Sequence, residues 1–326
     1  MKCHDSTVAS PLDRMTSKRR DEEWLADQLK DPETFFIPVW DSKQLFRAGP
    51  VPDPVFLSRP EMGEILNVAE STVFLGRNVS RTFFALDLPR DDSTVADDLA
   101  RFGQFQDLKR IGALLHASQA ALLAYARGLI HWHRRHRFCG DCGSATVSVD
   151  GGHRRICTNA RCGEQHFPRT DPAVITLARS GQRCLLGRQA AWPQGFFSAI
   201  AGFVEPGESL EQAVVREMLE ETGIRVCQVQ YHSSQPWPFP ASLMLGFTAV
   251  ACDESIRLMD HELEDARWFS REDFEDCLKA GAIHLPSSFS IAFRLIEDWY
   301  DGMGPISLRA FLGSIPDYPH RTPGRS

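Results

Sequence analysis

The first twenty residues have no apolar core of the kind a secretory signal requires, and the longest largely apolar stretch, residues 241–252, is too short to span a bilayer. The C-terminal Pro-Gly-Arg-Ser matches no simple peroxisomal or retention address, so the expected location is the cytoplasm. An excess of positive charge is also missing. Lys and Arg number 36 against 43 Asp and Glu, and a net charge of −7 supplies no overall basic field to attract nucleic acid. Nor do the nine cysteines form the even set of a disulfide scaffold. Cys139, Cys142, Cys157 and Cys162 are clustered, whereas Cys3, Cys184, Cys227, Cys252 and Cys277 are scattered. An odd total with one tight cluster argues for a metal site plus free thiols. Internal repeats and long low-complexity segments are absent.

Hydrophobic residues make up 43% of the chain and charged residues 24%, enough apolar material for a sizeable core, and 326 residues exceed one average domain. Residues 1–20 and 314–326 are polar or proline-rich and are expected to be flexible. Residues 21–130 mix helical pieces such as 21–30 with strand-like runs such as 82–86, an α/β N-terminal domain with no chemical motif of its own. From 108 to 134 the pattern is helical, with Ile111, Leu114, Leu115, Ala121, Leu122 and Tyr125 on one face. It leads into a cysteine-bearing segment at 131–167. Residues 168–313 read as a strand-rich α/β domain. Its strands are expected at 173–177 and 184–186, around a Ser180-Gly181 turn, and again near 244–251, with helices at 209–222 and 287–300.

The cysteines are spaced Cys139-x2-Cys142, fourteen intervening residues, then Cys157-x4-Cys162, with Gly143 and Gly163 after the second and fourth. Two such knuckles complete a tetrahedral four-thiolate shell, the geometry of closed structural zinc sites. A complete shell leaves no open position, so this zinc is assigned to structure and not to catalysis. Just upstream, His131, His133, Arg134, Arg135, His136 and Arg137 form a basic run that reads either as a phosphate contact or as a solvated helix end.

The helix at 209–222 opens on a capping box, Ser209 with Gln212, and stops at Gly223. At about 100° per residue, Glu217, Glu220 and Glu221 share one arc, and Val214, Val215, Met218 and Leu219 a neighbouring one suited to a core. Like charges so placed repel by a few tenths of a kcal/mol per adjacent pair, unless hard oxygen ligands at i and i+4 share a divalent cation. Downstream, Ser234-Gln235-Pro236-Trp237-Pro238-Phe239-Pro240-Ala241-Ser242 alternates three prolines with two aromatics. Such a segment is stiff and cannot extend a central strand. It reads as a surface loop with a packed Trp, or as a wall for a flat ring.

Gly202, Glu208, Arg216, Glu217, Met218, Glu220, Glu221, Gly223 and Ile224 match every fixed position of the Nudix box. The resemblance implies a Nudix hydrolase fold, a mixed sheet between helices, acting on a nucleoside diphosphate linked to another group. It makes Glu217 and Glu221 the leading ligands of catalytic Mg²⁺ or Mn²⁺, Glu220 a further ligand or the base acting on water, and the Ala201 carbonyl an extra ligand. Arg216 is expected to orient a box glutamate, and Glu208 to support the loop or bind metal at second hand.

With the cysteine cluster and the Ser234–Ser242 segment, the chain resembles the NADH pyrophosphatase family, the Nudix branch that also removes NAD caps from RNA. That family joins an N-terminal domain, a zinc ribbon (here 131–167) and a Nudix domain (168–313) in this order. The resemblance makes Gln235, Pro236, Trp237, Pro238, Phe239, Pro240, Ala241 and Ser242 substrate contacts. It also implies Glu262 as a metal-binding glutamate before Ala266-Arg267-Trp268, with Glu264 as rival. Phe167 stands where the family often has tyrosine, so stacking remains and a hydroxyl bond is lost, and Ala292 aligns with a backbone contact. The expected reaction is hydrolysis of NADH and NAD to nicotinamide mononucleotide and AMP, by a homodimer. NAD-capped RNA and ADP-ribose are the alternative substrates. A non-catalytic binding module would be expected to have lost box glutamates, and all three stand.

Overall fold

Consecutive apolar runs, Phe35-Phe36-Ile37, Val73-Phe74-Leu75 and Phe83-Phe84-Ala85-Leu86, organise the N-terminal part of the chain into a sheet buried on both faces. The computed structural model describes residues 12–91, 93–259, 262–316 and 318. Its contacts separate two units: one runs to Thr170 and includes Pro238–Ala241, and the other comprises Asp171–Trp237 and the chain from Ser242 on. Of the segments expected to be flexible, residues 1–11, 317 and 319–326 lie outside the described ones. Asp13 exchanges two 2.8 Å backbone hydrogen bonds with Arg77.

In the first unit, the helix Glu22–Gln28 starts where the Asp21 carboxylate accepts from the Trp24 N–H at 3.1 Å. Seven strands follow: β1 (Thr34–Trp40), β2 (Lys43–Arg47), β3 (Asp53–Pro54), β4 (Leu57–Ser58), β5 (Ser71–Arg77), β6 (Thr82–Asp87) and β7 (Gln104–Gln106). They lie in the order β3-β2-β1-β6-β5, with β4 on β1, β7 on β2, and a parallel β1–β6 pair. The single helix expected over 108–134 is broken. Leu108–Ile111 runs into a 3-10 turn, and Ala117–Arg135 begins afresh after His116, whose ring accepts from Ser118 N–H. Its buried stripe is Leu123, Ala126, Leu129, Ile130 and His133, so Ala121 is exposed and Leu115, Leu122 and Tyr125 only flank the core. The apolar spacing runs through the break, and only the capping geometry marks it.

The basic run at 131–137 is largely built into the fold. Arg134 pairs with the buried Asp87, and Arg137 with Glu70. His133 is 1% exposed: its Nε2–H donates to the Gly152 carbonyl at 2.8 Å, leaving Nδ1 to accept from Arg155 at 2.8 Å. His153 donates to the Phe74 carbonyl at 2.7 Å. Burial lowers both imidazoles from 6.5 to about 4. Unfolded, they take up protons below 6.5; folded, only below about 4. The unfolded state therefore binds more protons in that window, and stability that is intact above 6.5 is lost as pH falls towards 4. Lowering pH from 7 to 4 is expected to cost this unit on the order of 1–3 kcal/mol per histidine. Unfolding followed against pH checks this, and His133→Gln should flatten the dependence.

After the long helix come β8 (Thr146–Val149), β9 (Arg154–Cys157) and β10 (Gln165–His166), a three-stranded antiparallel sheet carrying the cysteines. Gly143 and Gly163 take left-handed φ of 71° and 62°, the turn each knuckle needs. All four sulfurs lie within 4.8 Å of one another, with Cys139–Cys162 at 3.8 Å and Cys142–Cys157 at 3.4 Å. A Zn–S bond of about 2.3 Å in a tetrahedron spaces sulfurs by about 3.8 Å, close to these separations, so the four thiols are gathered as a zinc shell needs. Replacing Cys157 by Ser is expected to abolish stoichiometric zinc and lower the first unit's unfolding midpoint, which metal analysis and calorimetry would read.

In the second unit, β11 (Asp171–Ser180), β12 (Arg183–Gln189), β13 (Ile200–Phe203), β14 (Val226–Trp237), β15 (Ser242–Ala251) and β16 (Leu263–Phe269) form a mixed sheet. The order is β14-β15-β11-β12-β16, with β13 on β11 and a parallel β11–β15 pair. Central β11 is buried on both faces. Val174 and Ala178 pack on one side under the helix Leu210–Thr222, while Ile175 and Leu177 pack on the other under the helices Arg271–Lys279, Ile291–Asp301 and Leu308–Ser314. The helix expected at 287–300 starts four residues later, at the Ser290 cap, which accepts from Phe293 N–H, and the helix Leu308–Ser314 after it was not expected. The Ser234–Trp237 stretch does extend a strand. It does so in β14, which lies at the sheet edge where a proline costs no ladder bond, and only Pro238–Ala241 make the turn.

Candidate active site

The helix Leu210–Thr222 begins on a reciprocal cap. Ser209 Oγ accepts from Gln212 N–H at 3.2 Å, and Gln212 Oε1 accepts from Ser209 N–H at 2.7 Å, a device worth roughly 1 kcal/mol. It ends at Gly223, left-handed at φ 70°. Ala213, Val214 and Met218 are fully buried against the sheet, whereas Val215 and Leu219 are 39% and 46% exposed. The core-facing arc is thus rotated from the expected one, and it takes in Glu221, only 2% exposed.

Strand β13 supplies the floor. A Cβ on Gly202 would lie 2.0–2.2 Å from the carboxyl carbon and both oxygens of Glu217. Glu217 therefore rests directly on the Gly202 backbone, beside Ala201, and only glycine leaves that space. Arg216 gathers the remaining carboxylates. Its guanidinium donates to Glu208 at 2.5 and 3.0 Å, to Glu217 at 2.8 Å, to Glu220 at 3.0 Å and to the Phe203 carbonyl at 2.9 Å. Glu208 also accepts from the Glu205 N–H at 2.7 Å, which closes the glycine loop.

Electrostatics set the two glutamates apart. Arg216 holds Glu208 below the usual carboxylate range. Burial pushes Glu217 up against the pull of Arg216, and the negative charges of Glu220 and Glu262 add to the rise. Glu262, just before β16, is thus brought close to Glu217, whereas Glu264 pairs with Arg188 at 3.3 Å. Glu221 lies one helical turn beyond Glu217. One guanidinium only partly offsets these carboxylates. A mutually repelling set of hard oxygen donors, half-buried at Glu217 and exposed at Glu220 and Glu262, over a cradle that a Cβ would fill suits a divalent cation.

The substrate-loop residues fall in both units. Gln235 is 8% exposed and its amide is engaged: it donates to the Phe289 carbonyl at 2.9 Å and accepts from the Ile291 N–H at 2.7 Å, capping the Ile291–Asp301 helix. Trp237 stacks on Phe289 with centroids 5.7 Å apart. Pro236 is exposed, and Ser242 opens β15. In the first unit, Arg127 donates to the Pro238 carbonyl and sits 4.7 Å from the Phe239 ring, while Pro240 is exposed and Ala241 half-buried. Phe167 is 59% exposed, and Ala292 is buried in its helix. Phe289 and the Phe203 carbonyl were not foreseen, since no residue pattern marks either.

A mixed sheet that seats a glutamate helix over a glycine of its own strand defines a Nudix-type hydrolase. Comparison with known proteins agrees. Residues 168–288 match the NUDIX domain, 24–132 the NADH pyrophosphatase-like rudimentary NUDIX domain, and 134–167 the NADH pyrophosphatase zinc ribbon domain. The NAD-capped RNA hydrolase NUDT12 of Macaca fascicularis is 36% identical over 91% of this chain and 73% of its own length. The human protein of that name is 35% identical over the same shares. The NAD-capped RNA hydrolase NudC of Mycobacterium bovis is 39% identical over 77% of this chain and 76% of its own. Among solved structures, a NUDIX hydrolase from Nitrosomonas europaea is similar at 22% identity and a TM-score of 0.40, covering 51% of this chain and 92% of that one. The chain belongs to the NADH pyrophosphatase family of Nudix hydrolases.

Proposed function

We propose that the protein hydrolyses the pyrophosphate bond of NADH and NAD, releasing nicotinamide mononucleotide and AMP. The observation that carries this reading is the seat of Glu217 on Gly202, with Glu220 and Glu262 near it and Glu221 one helical turn on, in a chain that matches the NUDIX domain and two domains of NADH pyrophosphatase type. Glu217 and Glu221 are the proposed ligands of Mg²⁺ or Mn²⁺, with Glu220, Glu262 and the Ala201 carbonyl completing the set. The metal, when bound, neutralises pyrophosphate charge and lowers the pKa of attacking water. Glu220, the most exposed of the box glutamates, is proposed as that further ligand or as the base that takes the water's proton; its bond and that of Glu217 to Arg216 support a positioning role for the guanidinium. Trp237 and the residues around it are the proposed wall for the nicotinamide nucleotide, with Phe167 and Ala292 as further contacts. A homodimer rests on the family resemblance, and a cytoplasmic location on the cysteine usage. Among the described residues, no helix is long and apolar enough to cross a membrane.

A second reading keeps the chemistry and takes NAD-capped RNA 5′ ends, favoured by the activity named for the relatives above. Chromatography of products from NADH, NAD, ADP-ribose and NAD-capped RNA, with and without Mn²⁺, separates these. Metal-dependent AMP and reduced mononucleotide from NADH are expected. Cleavage of ADP-ribose alone would overturn the substrate, and faster cleavage of capped RNA would favour the second reading.

A further inference from the structure

The end of the β14–β15 pair remote from Trp237 carries two thiols that the hydrolytic site does not use. Val226 pairs with Ala251 and Cys227 with Val250, so Cys227 and Cys252 lie diagonally across the antiparallel strands. Both are exposed, and their sulfurs are 2.9 Å apart, with the Cys252 thiol donating to the Cys227 sulfur. The zinc-cluster sulfurs keep 3.4 and 3.8 Å, as thiolates around a metal do. A disulfide is about 2.05 Å long, so bond formation at Cys227 and Cys252 needs less than an ångström of approach. The backbone there is already held: Cys252 N–H donates to the Arg225 carbonyl at 2.7 Å, and Arg225 Nε to Asp253 at 2.9 Å.

We infer that Cys227 and Cys252 are a redox-active pair, oxidised by a hydroperoxide to a cross-strand disulfide and reopened by a dithiol. Cys227, whose sulfur accepts from the Cys252 S–H, attacks the peroxide once deprotonated, the thiolate being the nucleophilic form of a cysteine. It takes one peroxide oxygen, the O–O bond breaks, and the departing oxygen leaves as water, giving a sulfenic acid on Cys227. The Cys252 sulfur then attacks the Cys227 sulfur. The S–O bond breaks, the S–S bond forms, and the hydroxide leaves as water with the Cys252 proton. The two thiols lose two electrons, which reduce hydrogen peroxide to two waters; a dithiol returns them. The link closes about 25 residues of chain and fixes the two strand ends, so it stabilises the folded unit.

Zinc-loaded full-length protein treated with hydrogen peroxide, quenched, alkylated and mapped by mass spectrometry tests this. A Cys227–Cys252 linked peptide, lost on dithiothreitol treatment, is expected. The oxidised protein should also unfold several degrees higher than the reduced one, a shift absent in Cys227→Ser and Cys252→Ser. Recovery of both cysteines as alkylated thiols, oxidation halting at sulfenic acid, or linkage of either to another cysteine would overturn the inference.

Discussion

Replacing Glu221 by Gln is expected to lower metal-dependent turnover of NADH by about 10³-fold or more, while zinc content and fold stay intact. The substitution keeps the shape of a side chain that is 2% exposed and sits against the buried Met218 and Thr222, so it opens no cavity. It removes one negative oxygen from the proposed metal-ligand set. Loss of a hard ligand is felt twice, in cation affinity and in stabilisation of charge on the departing phosphate, together several kcal/mol. Removing a buried carboxylate also relieves a desolvation cost, so the metal-free variant should unfold no earlier than the parent. Steady-state rates over a Mn²⁺ titration, with zinc analysis and an unfolding midpoint, make the check. Undiminished turnover would remove Glu221 from the mechanism. A large loss with a matching fall in stability would make it a packing residue.

Local order in the sequence foretold local structure. The Ser209–Gln212 cap, the Gly223 stop and the Gly143 and Gly163 knuckles each depend on residues within four positions of one another, and each forms as expected. What failed needed distant partners. Helical periodicity marks two adjacent apolar arcs on Leu210–Thr222, but the sheet decides that Val214 and Met218 face the core while Val215 and Leu219 do not. The same holds for Ala117–Arg135, whose Leu123–Ala126–Ile130 stripe is chosen by β1, β5 and β6. Pro236 reads as a strand breaker until β14 is known to be an edge. The Gln235 bond to Ile291 spans 56 positions, and nothing near Gln235 announces it. The neighbourhood of Glu262 and Glu264 follows from pairing with β12, where the register shifts between Arg188 and Gln189. Parallel pairing of β1 with β6 is likewise a long-range choice that composition does not encode.

Gly202→Ala should separate the seat of Glu217 from the stability of the fold. The added methyl would stand 2.0–2.2 Å from the three carboxyl atoms of Glu217, and ordinary contact begins near 3.4 Å, so the carboxylate must move by more than an ångström. Those atoms end a flexible side chain, and the backbone of β13 at Gly202 needs no left-handed φ. Strand and helix therefore keep their places, and reduced freedom of the unfolded chain offsets part of any strain. The expected result is an unfolding midpoint near that of the parent with turnover down roughly 10²-fold, the scale on which a 1 Å misplacement of a catalytic group acts. Because the loss runs through Glu217, it should not add to that of Glu217→Gln in the double variant. Full additivity would mean that Gly202 serves something other than Glu217, and unchanged turnover would mean that the position of Glu217 above β13 is not the one catalysis uses.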